Sequence, residues 1–312
     1  MRCLYCYQPL SEKEDDFHAS CSKKIFGSAT PPELPYVESQ MKELALRIIQ
    51  SQITVTGVQP KLSLNLVDGE NKKEPKRFTI VGLWGNYILK PPAEKYPQIP
   101  EVEDLTMHLA EIAKMKVVPH SLIRLKSGQL AYITKRIDRI EKQKLHMEDM
   151  CQLTEKQTEY KYLASYEQVA KTILKYSMNP GLDLVNFAEL VLFSFLTGNA
   201  DMHLKNFSLI YDLRDGPVLS PAYDILSTVL VNPKDDEDLA LTLNGKKKKI
   251  NQQDFETAFG NMKLDAKQQA NIFLKMEKTR DKWINFIQIS FLSPDFKKKY
   301  IQLINERFDR LK

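Results

Sequence analysis

The spacing of apolar residues divides the chain into a strand-rich first part and a helix-rich second part. Short apolar runs bounded by turn-forming residues predict a small sheet in the first part. From about residue 145 onward, the apolar residues recur mainly at helical spacing. The pattern predicts an α+β fold of two lobes, a small β-rich lobe over residues 1–140 and a mainly helical lobe over residues 141–312. The predicted strands lie near 61–67, 78–83, 86–90, 121–125 and 130–134.

Three predicted helices frame this arrangement. One spans Met41–Ile49 ahead of the first strand, and another lies around residues 105–113, after the third strand. The third, from Leu184 to Leu196, is apolar on nearly all sides, which is typical of a helix buried at the centre of a lobe. Gly198 stands at its natural C-cap position. We therefore expect this helix to hold the polar stretch that follows on a rigid support.

The polar stretch after the buried helix contains the residues of greatest chemical interest. Asp201 and Asn206 stand five positions apart, and Asp224 follows eighteen positions after Asn206. Residues 207–222 hold two short apolar runs around an Asp-Gly-Pro turn, which predicts a β-hairpin that returns Asp224 to Asn206. A carboxylate that accepts a proton and two oxygen ligands for Mg²⁺ are the groups that phosphoryl transfer requires. The alternative is that these side chains only hydrogen-bond within turns.

Two features of the first lobe bear on this choice. Residues Thr54–Lys61 have the pattern of a turn that enters a strand, and such a turn can cover phosphates or be an ordinary hairpin. Lys90 ends a short apolar strand that two prolines follow, and in kinases a lysine on such a strand neutralises the ATP phosphates. Glu101 or Glu103 of the next helix is placed to reach Lys90, unless both are solvated charges in its first turn.

Taken in order, these segments resemble the HipA family of bacterial serine/threonine kinase toxins, which belong to toxin–antitoxin systems. The resemblance spans roughly residues 50 to 310 and implies a two-lobed, protein-kinase-like (HipA-type) fold. Its most specific part is the D-x-H-x-K-N stretch with the later Y-D pair. The segments that carry it are Gly57–Lys61, Lys90, Lys135–Arg139, Glu148–Gln152, Gly198–Asn206 and Ala222–Asp224.

The resemblance implies a role for each matching residue. Asp201 is expected to be the catalytic base, Asn206 and Asp224 to bind Mg²⁺, and Lys90 to contact the ATP phosphates. Family members autophosphorylate a serine whose position is Thr54 here, and Thr56 is a second hydroxyl in that loop. A phosphate there adds roughly −2 of charge beside the triphosphate site, which should repel ATP. The other expected ATP contacts are Thr56, Gly57, Val58, Gln59, Pro60 and Lys61 at the phosphates, Lys135, Arg136 and Ile137 at adenine, and His203, Leu204, Lys205, Asn206, Tyr223 and Asp224.

The resemblance departs at the N-terminus. Full-length family members place about a hundred residues of β-rich domain before the phosphate loop, whereas this loop begins near residue 54. The chain therefore resembles the short HipT form, which implies two partners: a HipS-like small antitoxin protein and a HipB-like helix-turn-helix protein that binds DNA. The implied substrate is an aminoacyl-tRNA synthetase. The alternatives are a pseudokinase scaffold of a repressor complex and an enzyme that transfers AMP to proteins.

Four residues near the N-terminus have the spacing of metal ligands. Cys3, Cys6, His18 and Cys21 form C-x2-C followed by H-x2-C, which can supply four Zn²⁺ ligands to a segment too short to build a core. Such residues also occur by chance as buried thiols in a reducing cytosol, so both interpretations stay open. Cys151 has no partner in the sequence and is expected in the core.

The composition is that of an ordinary intracellular protein. The 45 basic and 40 acidic residues give a net charge of +5, too small to imply nucleic-acid binding by itself. No signal peptide or run of membrane-spanning length is evident, so we expect a cytoplasmic location without membrane association. Two charge clusters, at residues 232–238 and 245–249, are expected to be solvated loops. The alternatives are contact with a peptide substrate for the first and with DNA phosphates for the second.

Overall fold

The computed structural model describes residues 1–41, 43, 61–69, 74–81, 84–140, 143–212, 216–234 and 236–312. These residues form two compact units. Unit 1 comprises Met1–Asp104 and Val118–Ile137, and unit 2 comprises Leu105–Val117 and Asp138–Lys312. The α+β class predicted from the sequence is confirmed, with the larger sheet in unit 1 and most of the helices in unit 2.

Unit 1 is built on a five-stranded antiparallel sheet. Its strands are β1 (Leu62–Val67), β2 (Arg77–Val81), β3 (Tyr87–Lys90), β4 (His120–Arg124) and β5 (Leu130–Lys135). They lie in the spatial order β2-β1-β3-β5-β4, and every bound falls within two residues of the predicted strand. The helix predicted over Met41–Ile49 falls mostly outside the described residues.

The N-terminal segment packs against this sheet. The helix α1 (Ala19–Phe26) contributes Phe26, whose ring lies 5.7 Å from Phe78 of β2 and 6.3 Å from Tyr87 of β3. The backbone carbonyl of Leu4 accepts a hydrogen bond from the N–H of Leu122, at 3.4 Å, on the edge strand β4. The first residues of the chain therefore cover aromatic side chains of the sheet and pair with one of its edges.

The helix that follows β3 contains a boundary between the two units. This helix, α2 (Ile99–Ile112), begins in unit 1, and residues 105–117 belong to unit 2. The sequence pattern predicted a first lobe that contains all of residues 1–140. The later part of α2 belongs to unit 2, where its backbone is hydrogen-bonded. The indole N–H of Trp283 donates to the carbonyl of Leu109 at 2.8 Å.

Unit 2 is mainly helical. After α2 its helices are α3 (Met150–Leu153), α4 (Tyr166–Tyr176), α5 (Pro180–Thr197), α6 (Thr228–Val231), α7 (Gln252–Asn261), α8 (Ala266–Glu277), α9 (Arg280–Gln288) and α10 (Pro294–Asp309). The helix α5 is the one predicted from its all-round apolar sequence, and it is buried along most of its length. Phe187 of α5 packs edge-to-face on Phe207 at 5.1 Å, and Phe193 packs on Trp283 at 5.4 Å.

The strands of unit 2 form two small ladders. Strands β6 (Arg139–Ile140) and β7 (Gln143–Lys144) pair with each other. Strands β8 (Met147–Asp149), β9 (Ser208–Asp212) and β10 (Gly216–Leu219) form an antiparallel sheet in the order β10-β9-β8. The pair β9–β10 confirms the hairpin predicted between Asn206 and Asp224.

Asp238, Arg307 and Arg310 form an ionic cluster within unit 2. The side chain of Asp238 contacts the guanidinium groups of Arg307 and Arg310, and its Oδ2 accepts a hydrogen bond from the N–H of Ile250 at 3.0 Å. Burial opposes ionisation of Asp238, but the two arginines and this N–H outweigh it and lower its pKa. Both arginines also lie over the ring of Phe195 on α5, at 4.9 and 5.0 Å.

One helix of the described chain passes a length and composition test for a membrane span. It is Pro180–Thr197, whose mean hydropathy is 1.3. In the structure 72% of this window is buried inside the protein. The same test is passed by the core helices of water-soluble proteins, and the burial of α5 within unit 2 is of that kind.

Candidate active site

The buried helix α5 leads directly into the polar stretch. Gly198 caps the helix with a φ of 68°, in the left-handed region that favours glycine. A Cβ at this position would lie 2.7 Å from the side chain of Leu303. The carbonyl of Gly198 accepts from Val229 at 3.1 Å, and the N–H of Ala200 donates to the hydroxyl of Thr228 at 2.8 Å. The start of the polar stretch is therefore fixed by α5 and by the short helix α6.

Asp201 and Asn206 are joined by a hydrogen bond. The side-chain nitrogen of Asn206 donates to the backbone carbonyl of Asp201 at 2.8 Å. Residues Leu204–Asn206 form one 3₁₀ turn, which brings the two residues together across their five-residue separation. Because the amide nitrogen is engaged in this bond, the side-chain oxygen of Asn206 is the atom that it can offer to a cation.

The carboxylate of Asp201 is half exposed and already contacts a hydroxyl group. The phenol of Tyr162 donates to Oδ1 of Asp201 at 2.5 Å, and Nε2 of His203 lies 4.0 Å from the same oxygen. The rings of Tyr162 and His203 meet edge-to-face, with their centroids 5.0 Å apart. This arrangement shows that Oδ1 of Asp201 can accept a hydrogen bond from a hydroxyl, which is what a general base must do.

His203 is a buried imidazole that lies close to Asp201. Burial lowers the pKa of its imidazole, although the charge of Asp201 acts in the opposite direction. Its Nδ1 has no hydrogen-bond partner among the described residues, and the side chain is only 7% exposed. In the uncharged imidazole, which a lowered pKa favours, one ring nitrogen donates a hydrogen bond and the other accepts one.

Lys205 forms an ion pair that the sequence did not reveal. Its Nζ donates to Oδ2 of Asp149 at 2.8 Å. The other oxygen of Asp149 caps α3 by accepting from the N–H of Gln152 at 3.0 Å. Asp149 therefore links the start of α3 to the polar stretch, and it holds the charge of Lys205 in one place.

The residues after the hairpin return to the polar stretch through Tyr223. Its phenol lies 2.5 Å from the hydroxyl of Ser208 and donates to the backbone carbonyl of Lys205 at 3.0 Å. Burial raises the pKa of this phenol. The next residue, Asp224, has a φ of 58°, a left-handed conformation that is uncommon outside glycine and is often found at functional sites. The hairpin thus returns the Tyr223–Asp224 pair to the turn that contains Asn206.

In unit 1, Lys90 and Glu103 form a buried ion pair. The Nζ of Lys90, at the end of β3, contacts Oε1 of Glu103 on α2, and the two side chains are 5% and 1% exposed. Lys90 also lies 5.4 Å from the ring centre of Tyr132. Of the two acids that the sequence proposed as partners, Glu103 is the one in contact. Burial raises the pKa of the other, Glu101, to about 7, and the charge of Asp104 acts in the same direction.

Comparison with known proteins gives a match over most of this chain. The family model of the HipA-like C-terminal domain matches residues 53–283. The chain belongs to this family. A Haemophilus influenzae protein named "Putative kinase" is 30% identical over 245 residues, covering 72% of this chain and 68% of that protein. "Putative kinase Y4dM" of Sinorhizobium fredii is 33% identical over 216 residues, covering 65% of this chain, and the chain spans half of its length.

Two solved structures have the same fold as this HipA-like chain. HipA of Shewanella oneidensis MR-1, solved with HipB and its operator DNA, superposes with a TM-score of 0.68 at 21% identity and covers 86% of this chain and 70% of that one. The Helicobacter pylori proinflammatory kinase CtkA superposes with a TM-score of 0.56 at 16% identity and covers 80% of this chain and 93% of that one. The predicted kinase-like fold is therefore confirmed.

The described residues cover only part of the predicted nucleotide contacts of the HipA-like chain. Thr54, Thr56 and residues 57–60 lie outside the described residues, and Lys61 is an exposed residue just before β1. Lys135 ends β5 and is exposed, while the N–H of Arg136 donates to the carbonyl of Asn86 at 2.8 Å. The predicted roles of the phosphate loop and of Lys135–Ile137 at adenine stay predictions.

The two charge clusters of the HipA-like chain pair with each other. Three lysines of the second cluster, Gly245–Lys249, form ion pairs with acidic groups of unit 2. The pairs are Lys246 with Asp254 at 2.8 Å, Lys247 with Glu237 at 3.6 Å and Lys248 with Asp236 at 2.5 Å. Two of these partners belong to the first cluster, so the charges of both are largely compensated within the unit.

The four predicted zinc ligands lie together in unit 1. One ligand atom from each of Cys3, Cys6, His18 and Cys21 falls within 4.8 Å of all the others. The sulfur of Cys6 is 3.4 Å from Nδ1 of His18, and the sulfur of Cys21 is 3.7 Å from it. All four cysteines of the chain are reduced, and Cys151 is buried as predicted. The structure thus brings the C-x2-C and H-x2-C pairs into one cluster.

Proposed function

We propose that this chain is a Mg²⁺/ATP-dependent serine/threonine protein kinase, and that it is the toxin of a toxin–antitoxin system. The observation that carries the proposal is the hydrogen bond from Asn206 to the carbonyl of Asp201. It makes one rigid unit of a carboxylate that can accept a proton and an amide oxygen that can bind a cation. Membership of the HipA-like family and the kinase-like fold support the same conclusion.

The proposed chemistry follows from the side chains of the polar stretch. Asp201 accepts the proton of the attacking hydroxyl, in the place where the phenol of Tyr162 now donates to its Oδ1. Lys205, fixed by Asp149, adds positive charge beside the phosphoryl group that is transferred.

The donor set of the site fits Mg²⁺ and ATP. The side-chain oxygens of Asn206 and Asp224 are hard ligands of the kind that Mg²⁺ prefers, and the ion supplies charge neutralisation of the triphosphate when bound. Lys90, held by Glu103, contacts the phosphates. The remaining proposed contacts with the nucleotide are Thr56, Gly57, Val58, Gln59, Pro60 and Lys61, Lys135, Arg136 and Ile137, and His203, Leu204 and Tyr223.

The regulation and partners that we propose come from the family resemblance. Thr54 or Thr56 is the site of autophosphorylation, and an aminoacyl-tRNA synthetase is the substrate. The partners are a HipS-like small antitoxin and a HipB-like DNA-binding protein, so that contact with operator DNA is indirect. The structure of Shewanella oneidensis HipA with HipB and operator DNA supports the second partner. The internal pairing of Lys246–Lys248 gives no support to direct DNA binding by this chain.

The mass of the intact chain after incubation with Mg²⁺ and ATP tests the proposed reaction. An increase of roughly 80 Da marks a transferred phosphate and supports the kinase. An increase of roughly 329 Da marks transfer of AMP, and no change on either the chain or an added synthetase marks a scaffold without catalytic activity. Peptide mapping of the modified chain then shows whether Thr54 or Thr56 carries the group.

We also infer that the cluster of Cys3, Cys6, His18 and Cys21 binds a structural Zn²⁺ ion. Three thiolates and one imidazole form a donor set typical of closed zinc sites, which keep no position open for a substrate. The convergence of all four ligand atoms within 4.8 Å supports the inference.

A further inference from the structure

We propose that zinc at this cluster turns residues Met1–Phe26 into a clamp that holds Lys90 against Glu103. We call these residues the N-terminal clamp. The proposal joins the metal cluster to the Lys90–Glu103 ion pair through two hydrogen bonds, one to α2 and one to β3. Its consequence for ATP binding rests on the kinase function proposed above.

The distances within the cluster fit a tetrahedral ion. Sulfur lies about 2.3 Å and nitrogen about 2.0 Å from Zn²⁺, so tetrahedral ligand atoms stand roughly 3.5 to 3.8 Å from each other. The two sulfur-to-Nδ1 distances, 3.4 Å from Cys6 and 3.7 Å from Cys21, are close to that separation. The three cysteines are free thiols and all four residues are at least half-buried, so an ion held by them is shielded from solvent.

The imidazole of His18 is oriented as a metal ligand by its second nitrogen. The Nε2 of His18 lies 3.0 Å from the backbone carbonyl of Pro9. A carbonyl oxygen can only accept, so Nε2 carries the proton and Nδ1 keeps its lone pair. The same Nδ1 lies 3.4 Å from the sulfur of Cys6 and 3.7 Å from the sulfur of Cys21. Metal-bound histidines commonly have a carbonyl in this position, where it fixes the tautomer and the ring.

The first link from the cluster runs through Tyr7 to α2. The N–H of Tyr7 donates to the carbonyl of Cys3 at 2.9 Å, which closes the turn that contains Cys3 and Cys6. Tyr7 has a φ of 62°, an unfavourable conformation for an aromatic residue, and its side chain is 1% exposed. Its phenol donates to Oδ2 of Asp104 at 2.7 Å. Asp104 is the neighbour of Glu103 on α2, so the metal turn is bonded to the residue beside the partner of Lys90.

The second link runs through α1 to β3. Cys21 lies in α1, and the carbonyl of Ile25 near the end of that helix accepts from the phenol of Tyr87 at 3.1 Å. Tyr87 begins β3, and Lys90 ends it. The ring of Phe26 adds apolar contact to the ring of Tyr87 at 6.3 Å. The clamp therefore bonds to both elements that position the ion pair, α2 through Tyr7 and β3 through α1.

The ion is expected to stabilise both links at once. The segment from Met1 to Gly27 contains a single short helix, and the turn of Tyr7 is held to the rest of the segment by loop contacts such as the 2.7 Å hydrogen bond from the N–H of Leu4 to the carbonyl of Asp16. Bonds from one ion to Cys3, Cys6 and Cys21 join the turn of Tyr7 to the helix of Ile25. Without the ion the two parts of the clamp can separate, and the strained conformation of Tyr7 loses its support.

Metal analysis of the full-length chain tests the site. We expect one zinc per chain after purification without metal-affinity resin, and at least about tenfold weaker zinc binding in Cys6→Ser, measured by competition with a chelator. The change Cys151→Ser is the matched control, since Cys151 lies in unit 2 and should leave zinc binding unchanged. A wild-type chain that binds zinc no better than Cys6→Ser would overturn the site.

The change Tyr7→Phe tests the clamp without removing a ligand. It should retain one zinc per chain, weaken Mg²⁺–ATP binding about tenfold, and speed amide hydrogen exchange in β3 and the first turns of α2. Tyr5→Phe is the control, because it removes a phenol from the same turn but leaves the bond to Asp104 intact. Equal affinities and equal exchange rates in Tyr7→Phe and Tyr5→Phe would overturn the clamp.

Hydrogen exchange separates failure of the clamp from failure of the proposed function. If the wild-type chain binds no ATP, the kinase proposal fails, and exchange in β3 still decides the clamp. Faster exchange in Tyr7→Phe and after zinc removal supports it. Unchanged exchange under both conditions contradicts it, whatever the affinity for ATP.

Discussion

From the buried ion pair of Lys90 and Glu103 we predict that replacing both residues restores stability but does not restore ATP binding. Lys90→Met or Glu103→Leu alone should destabilise the protein, because each leaves one charge buried without its main partner. The side chains are 5% and 1% exposed, so water screens the remaining charge poorly. Removing one member of a buried ion pair costs about 3–5 kcal/mol.

The double variant Lys90→Met with Glu103→Leu supplies the control. Replacement of a buried ion pair by apolar side chains of similar volume is often close to neutral, so the double variant should unfold within about 1 kcal/mol of the wild type. Urea unfolding of the four proteins gives a coupling free energy, which we expect to be at least about 5 kcal/mol from these values. The double variant should nevertheless fail to bind ATP, since no cation remains at residue 90.

Two results would refute this reasoning. If the double variant is as unstable as the sum of the two single variants, the side chains do not interact in the folded protein. If the double variant binds Mg²⁺–ATP as tightly as the wild type, Lys90 has no role at the phosphates.

Three further predictions concern other parts of the fold. Gly198→Ala should destabilise unit 2 by about 1–2 kcal/mol, since alanine disfavours the φ of 68° and its Cβ would meet Leu303; equal urea midpoints would contradict this. Asp238→Ala should cost about 3–5 kcal/mol because it leaves buried arginine unpaired, whereas Asp236→Ala on the surface should change the unfolding free energy little. The pKa of Glu101 is about 7 in the folded chain, against an ordinary value of 4.5. Its contribution to the free energy of unfolding is therefore complete below pH 4.5, and the contribution falls by about 3 kcal/mol as the pH rises through 7. Glu101→Gln should abolish that loss between pH 5 and pH 8, and an unchanged pH profile would contradict the assignment.

The strands of unit 1, the helix α5 and the hairpin β9–β10 could be predicted because each follows from the spacing of apolar and turn-forming residues within a short segment. The strands of unit 1 follow runs of apolar residues between turns, and the burial of α5 follows from a segment that is apolar on every side. Gly198 marked the end of that helix because only glycine adopts the left-handed C-cap without strain. The hairpin β9–β10 could be predicted for the same reason, from a turn signal between two apolar runs.

The contacts that complete the candidate site were less accessible from the sequence. Tyr162 reaches Asp201 from 39 positions earlier in the chain, and Asp149 reaches Lys205 from 56 positions earlier. No local pattern marks either partner, since both contacts depend on how unit 2 folds. Asp149 belongs to a segment that the family resemblance had selected, but a resemblance between motifs does not indicate which side chains pair.

The pairing of the two charge clusters also could not be predicted from the sequence. Residues 232–238 and 245–249 each look like a solvated loop when considered alone, and a basic run of four lysines suggests contact with phosphates. The structure pairs three of the four lysines with acidic groups of unit 2, including two from the first cluster. Opposite charges that lie close in sequence can compensate each other, and only the folded chain shows which of them meet.

Transfer of ³²P from [γ-³²P]ATP is the most direct test of the proposed kinase. With Mg²⁺ present, we predict that the wild-type chain labels itself and an added aminoacyl-tRNA synthetase. Asp201→Asn should reduce the rate by about 10² to 10⁴, because it removes the base but keeps the backbone carbonyl that binds Asn206. Tyr162→Phe should retain labelling and so serves as the matched control. Equal rates for the wild type and Asp201→Asn, with equal urea stability, would contradict the account.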